Sequence, residues 1–188
     1  MKLLTKMIAT VVVATMASNA SALIIDLANE GSLVGSGDNR SYQYTGSDFS
    51  VTVDGYEEGF TDRERVTRNS RGLGVASEGD LNNQLDGVGG TEWLRFTVAG
   101  GGILDYVDAS QFGWNDDFSL MIDGVYYGDY SADPWTGAIA FSSWFAIGAN
   151  HRSDEFRLRK VGITVPEPST LVLMLIGILG IGAARKLS

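Results

Sequence analysis

Between residues 23 and 165 the apolar residues come in short alternating runs with no sustained helical period, and this pattern narrows the fold more than any other feature of the chain. Phe49, Val51 and Val53 alternate with polar neighbours, as do Leu94, Phe96 and Val98, and as do Phe118, Leu120 and Ile122. Each run predicts a half-buried strand with one face on a core. Asp54-Gly55 and Asp123-Gly124 follow two of the runs, and Asp-Gly favours a tight hairpin because it accepts positive φ. Val125-Tyr126-Tyr127 supplies a return strand after the second. Near the end of the block Phe156 and Leu158 fall in one phase while Val161, Ile163 and Val165 fall in the other. A β-bulge at Arg159 and Lys160 restores a common face. The predicted fold is all-β, a single two-sheet sandwich or jelly-roll-like domain.

Composition removes several functions. The 188 residues include no cysteine and a single histidine. That excludes disulfide frameworks, thiolate metal sites and multi-histidine sites built by one chain. Residues 23–165 carry 22 acidic and 10 basic side chains, a net charge of -12. So acidic a block repels nucleic acid, whose recognition needs a basic face, and gathers divalent cations at least diffusely.

The two ends are of another kind. Lys2 and Lys6 precede an apolar run from Met7 to Ala17, and Ala20-Ser21-Ala22 offers the small-x-small pattern read by signal peptidase. Residues 1–22 are therefore predicted to be a signal peptide cleaved after Ala22, leaving 23–165 as the acidic β domain. At the other end Pro166-Glu167-Pro168 precedes Ser169 and Thr170, an uncharged run from Leu171 to Ala184, and then Arg185 and Lys186. Two prolines make a stiff spacer that ends the strand before them. The apolar run, as a helix, reaches about 21 Å, a short transmembrane span over about 169–184 that a thinned bilayer accommodates. Basic residues outside both apolar segments put the chain ends in the cytoplasm and the β domain outside.

This order of parts resembles the PEP-CTERM sorting signal of Gram-negative bacteria, over residues 166–188. The resemblance implies processing by a membrane-embedded exosortase, an inner-membrane intermediate, and a final place at the cell surface or in extracellular, exopolysaccharide-rich biofilm material. Gly72-Leu73-Gly74-Val75, Gln84-Leu85-Asp86-Gly87, Glu92-Trp93-Leu94-Arg95-Phe96, Asn115-Asp116-Asp117-Phe118 and Asp123-Gly124 also resemble a signature of secreted β domains bearing this tail, which implies a shared fold and destination.

Two sets of oxygen donors suit structural calcium. Asp80, Asn82, Gln84 and Asp86 alternate along a loop with Glu92 beyond. The set is not an EF-hand, because Leu85 stands where glycine is needed and Glu92 falls one residue late. Asp116, Asp117 and Asp123 flank a strand and its turn. Turn capping, with Asp and Asn bonding local backbone, is the simpler reading of both, and no other cofactor is implied. Catalysis finds less. His151, Ser153 and Asp154 are too close in sequence for a separated triad, and His151 beside Arg152 reads as a surface loop. The glycine clusters at 87–90 and 100–102 lack the helix and lysine of a phosphate loop. Of Trp93, Trp114, Trp135 and Trp144, Trp93 and Trp135 are the first candidates for stacking on sugar rings, with core packing as the alternative. The sequence thus predicts a non-catalytic exported surface or matrix component. A carbohydrate-binding module for the cell's own exopolysaccharide is the alternative, and a secreted hydrolase using paired carboxylates a more distant one.

Overall fold

The computed structural model describes residues 20–46, 49–77, 83–88 and 90–166. The chain divides into two units, Ala22–Val165 and a second made of Met1–Ser21 with Pro166–Ser188. Several expectations lie outside the described residues: the signal segment with Lys2 and Lys6, the loop donors Asp80 and Asn82, and the tail with Glu167, Pro168, Arg185 and Lys186. Among the described residues no helix is long and apolar enough to cross a membrane.

Fourteen strands are described: β1 (Ala20–Asp26), β2 (Ser32–Val34), β3 (Ser41–Thr45), β4 (Ser50–Glu57), β5 (Asp62–Asn69), β6 (Gly72–Ala76), β7 (Leu85–Asp86), β8 (Glu92–Val98), β9 (Gly102–Ser110), β10 (Phe118–Ile122), β11 (Val125–Tyr130), β12 (Trp135–Phe141), β13 (Trp144–Ala149) and β14 (Glu155–Pro166). The domain is all-β, as its alternation requires. The three sequence runs fall on β4, β8 and β10, and Val51, Val53, Leu94, Phe96, Val98, Phe118, Leu120 and Ile122 are all buried.

The strands join into one connected path rather than two unlinked sheets. The strands follow one path, β11-β10-β13-β8-β4-β5-β6-β14-β9-β12, with β1 and β7 joined to β14 and with β2 and β3 joined through β3 to β4. The reason lies in β5. Its first residues, Asp62 to Glu64, pair with β4, and its remainder, Arg65 to Asn69, pairs with β6, so one strand carries the ladder from one half to the other. The path ends at β11 and β12, which are consecutive in sequence, and Trp135 meets Tyr130 edge-on at 5.5 Å. The sheet thus comes close to closing as a barrel, with aromatic packing where its free edges meet. Inside it Phe96 and Phe145 lie opposite each other on β8 and β13 and stack at 4.8 Å, worth about 1 kcal/mol beyond their area burial.

Turn chemistry agrees with the sequence at one Asp-Gly and departs from it at the other. Asp123 and Gly124 take φ of +46° and +86° between β10 and β11, the expected hairpin. Asp54 and Gly55 instead run on within β4, and the chain reverses three residues later at a single turn, Glu58–Thr61. Gly55 is needed there for closeness: a Cβ would lie 2.8 Å from the Glu64 carbonyl oxygen on β5. Asp54 is buried and paired with Arg63, and it accepts a 2.6 Å bond from the Ser41 hydroxyl. In β14 the register against β9 slips between Leu158 and Lys160, which makes Arg159 the extra residue and returns Val161 and Ile163 to the core.

Candidate functional site

The site is assembled at one end of the β10–β13 pair. Those strands are antiparallel with Ser119 opposite Gly148, so the residues entering β10 stand beside the residues leaving β13. β14 begins at Glu155, opposite Asp86 of β7. Three connections therefore converge: 111–117, 150–154 and the segment around β7. Gly87 is the tight point of this convergence, since a Cβ there would lie 2.1 Å from the His151 carbonyl oxygen.

Asp154 is the pivot. Its side chain is 1% exposed. It accepts the backbone N–H of His151 at 3.0 Å on one oxygen and that of Asp117 at 3.3 Å on the other. Burial pushes its carboxyl above the usual range, those two amides pull it back, and the Asp117 charge pushes it up again. The His151 Nδ1 lies 3.5 Å from Asp117 Oδ1 and 3.8 Å from Asp154 Oδ2. Asp117 Oδ1 is itself buried and takes no hydrogen bond. Asn115 ties the loops together, its side-chain N–H donating to the Ser153 carbonyl at 3.4 Å. Beside this group opens a polar cleft of about 360 Å³, lined among others by Gln84, Gln111, Asn115, Asp116, Ser153 and Glu155. Trp114 follows Gly113 at its margin and is 97% exposed.

Of the predicted calcium donors, Asp80 and Asn82 lie outside the described residues, Asp86 and Glu92 stand together, and Asp116 and Asp117 lie at the opposite end of β10 from Asp123. Asp123 is separated from Asp117 by the length of β10, roughly 20 Å at about 3.4 Å per residue. Its carboxylate accepts the backbone amides of Ser142, Ser143 and Trp144 at 2.6, 3.1 and 3.1 Å, and both serine hydroxyls as well. Burial alone would raise this carboxyl, but the Ser142, Trp144 and Ser143 amides and the Ser142 hydroxyl outweigh it and hold it at about 2. Asp116 accepts the Gly113 amide at 2.5 Å as a turn cap. Asp86 caps its own turn through the Val88 amide at 2.8 Å, and its own N–H donates to Glu92 at 3.1 Å, with the Ser77 hydroxyl on the other Glu92 oxygen at 2.7 Å. Asp86 and Asp116 thus cap their own turns, while Asp123 ties the β10–β11 turn to residues 142–144.

The two tryptophans put forward for sugar stacking are covered. Trp93 is 5% exposed, because Phe60 of the Glu58–Thr61 turn folds over it at 5.4 Å. Trp135 is 8% exposed, packed edge-on against Tyr130 and Phe118 where the sheet nearly closes. The exposed one is Trp114. His151 and Asp154 were legible only as a surface turn, since nothing in sequence spacing links them to Asp117 before the β10–β13 register is known.

The remaining expected residues lie at the ends of the fold. Ala20 and Ala22 are in β1, so cleavage after Ala22 leaves Leu23 to Asp26 of that strand. Pro166 is the last residue of β14. No curated protein and no solved structure matches the chain. A family model does match, that of the PEP-CTERM protein-sorting motif, over residues 164–186. It starts on the last residues of β14 and continues through Glu167, Pro168 and the apolar run, and it identifies the chain as a carrier of the PEP-CTERM signal by which exported proteins reach exosortase.

Proposed function

We propose that the chain is a non-catalytic component of the cell surface or extracellular matrix, tied to the cell's own exopolysaccharide. The observation that carries this reading is the sorting motif placed directly behind the last strand of a folded β domain. Signal peptidase removes residues 1–22, the domain is held outside by its tail, and exosortase then processes that tail. A hydrolase has less support. The single imidazole faces two aspartates rather than a serine, and Asp116 in the cleft is engaged by the Gly113 amide. Extraction of the exopolysaccharide fraction from cells with and without a working exosortase tests the proposal. The protein is expected in that fraction only when exosortase is present; retention in the inner membrane in both strains would overturn it.

A carbohydrate-binding role is favoured by one observation, the fully exposed Trp114 beside the amides and carboxylates of the cleft. An indole face stacks on a sugar ring while amide and carboxylate groups bond its hydroxyls. Trp114→Ala is expected to weaken binding of purified exopolysaccharide at least about tenfold. Release of reducing ends from that polysaccharide would favour the hydrolase instead.

A further inference from the structure

We infer that Asp117, His151 and Asp154 form a binding site for one divalent transition-metal ion of the zinc class, which pins the loop before β10 to the loop after β13. One ligand atom from each of the three residues lies within 4.8 Å of the others. The His151 Nδ1 stands 3.5 and 3.8 Å from the two carboxylate oxygens. Around a tetrahedral ion with bonds of about 2.1 Å the ligand atoms are about 3.4 Å apart, so small side-chain rotations bring this set onto a metal. Calcium fits poorly, because it takes six to eight oxygens and no nitrogen is preferred.

A second observation points to a missing ligand. Asp117 Oδ1 is one of three buried side-chain polar atoms that find no hydrogen-bond partner among the described residues. A buried carboxylate oxygen without a donor is costly, and a cation at that point satisfies it. The supports of the site are already in place. The two backbone amides that bond Asp154 fix its carboxylate, and His151 is held by that turn with its Nδ1 inward. The His151 side chain is 57% exposed, which leaves an entry path and a coordination position open to water. An ion here rigidifies one wall of the polar cleft, because Asn115 and Ser153 belong to the loops it joins. The inference does not depend on what the cleft binds.

The test is calorimetric titration of zinc into the full-length protein, purified by a histidine-free tag and stripped with chelator, alongside Asp117→Asn and His151→Gln. Both positions are partly exposed, so both variants are expected to fold; Asp154 is left intact because it holds the turn. One zinc per chain is expected, weakened at least about tenfold in each variant, with a zinc-dependent rise in Tm in the parent only. Asp105→Asn, outside the cluster, is expected to bind as the parent does. No saturable binding, binding unchanged by both substitutions, or a calcium site indifferent to His151→Gln would each overturn the inference.

Discussion

The two ends of β10 carry an aspartate each, and the two are treated in opposite ways. At the far end Asp123 receives five hydrogen bonds from the β12–β13 connection and is held as an anion down to about pH 2. At the near end Asp117 has a buried oxygen with no donor and shares its surroundings with a second, deeply buried carboxylate. Both residues read alike in sequence, as acids flanking a strand. What separates them is how many donors the neighbouring backbone turns toward each. A saturated carboxylate has spent its lone pairs on holding the fold, whereas an unsaturated one retains the capacity to hold something else.

Substitutions can sharpen this contrast or dissolve it. The largest effect is expected at the saturated end: Asp123→Ala frees three backbone amides and two hydroxyls and should cost about 2 kcal/mol in denaturant melts. Gly87→Ala comes next, because its Cβ runs into the His151 carbonyl at 2.1 Å and displaces the loop that carries the near-end cluster. A loss of about 1–2 kcal/mol is expected, with zinc binding lost as well. The Asp123 contribution also has a pH signature. Its folded pKa of about 2 lies below the ordinary aspartate value of 3.8, so the stability it adds is complete above that ordinary value and is lost as pH falls toward 2. Acid titration of unfolding should therefore show a shallower slope between about pH 4 and 2 in Asp123→Asn than in the parent. The smallest effect is expected of Trp114→Ala, within about 0.5 kcal/mol of the parent, since a side chain 97% exposed supports no packing.

Much of the fold was legible because strand signals are local. The alternating runs, the Asp123-Gly124 hairpin and the bulge at Arg159 each depend on residues within a few positions of one another. The Asp54-Gly55 turn was misread because a glycine needed for close approach across strands looks the same in sequence as one needed for positive φ. The single connected path was hidden in β5, whose two halves pair with different neighbours and whose sequence carries no mark of it. For Trp93 and Trp135 local context leaves stacking on sugar and core packing both open, because their covers, Phe60 and Tyr130, are set by how a turn folds over and where the sheet nearly closes. The site was the least legible part. Asp117 and His151 stand 34 positions apart, and only the β10–β13 register makes them neighbours. The sorting motif lies at the other extreme, since its parts follow one another directly in the chain.

Thermal melts of Asp117→Asn and Asp123→Asn, run together in chelator, weigh the two ends of β10 most directly. Asp123→Asn should melt about 4–8 °C below the parent, as a loss near 2 kcal/mol implies for a domain of this size. Asp117→Asn should melt at or above it, because the substitution removes a charge that repels buried Asp154 and breaks no hydrogen bond made by Oδ1. Equal losses at both positions would mean that Asp117 is as structural as Asp123, and the near end of β10 would no longer stand out as a binding site.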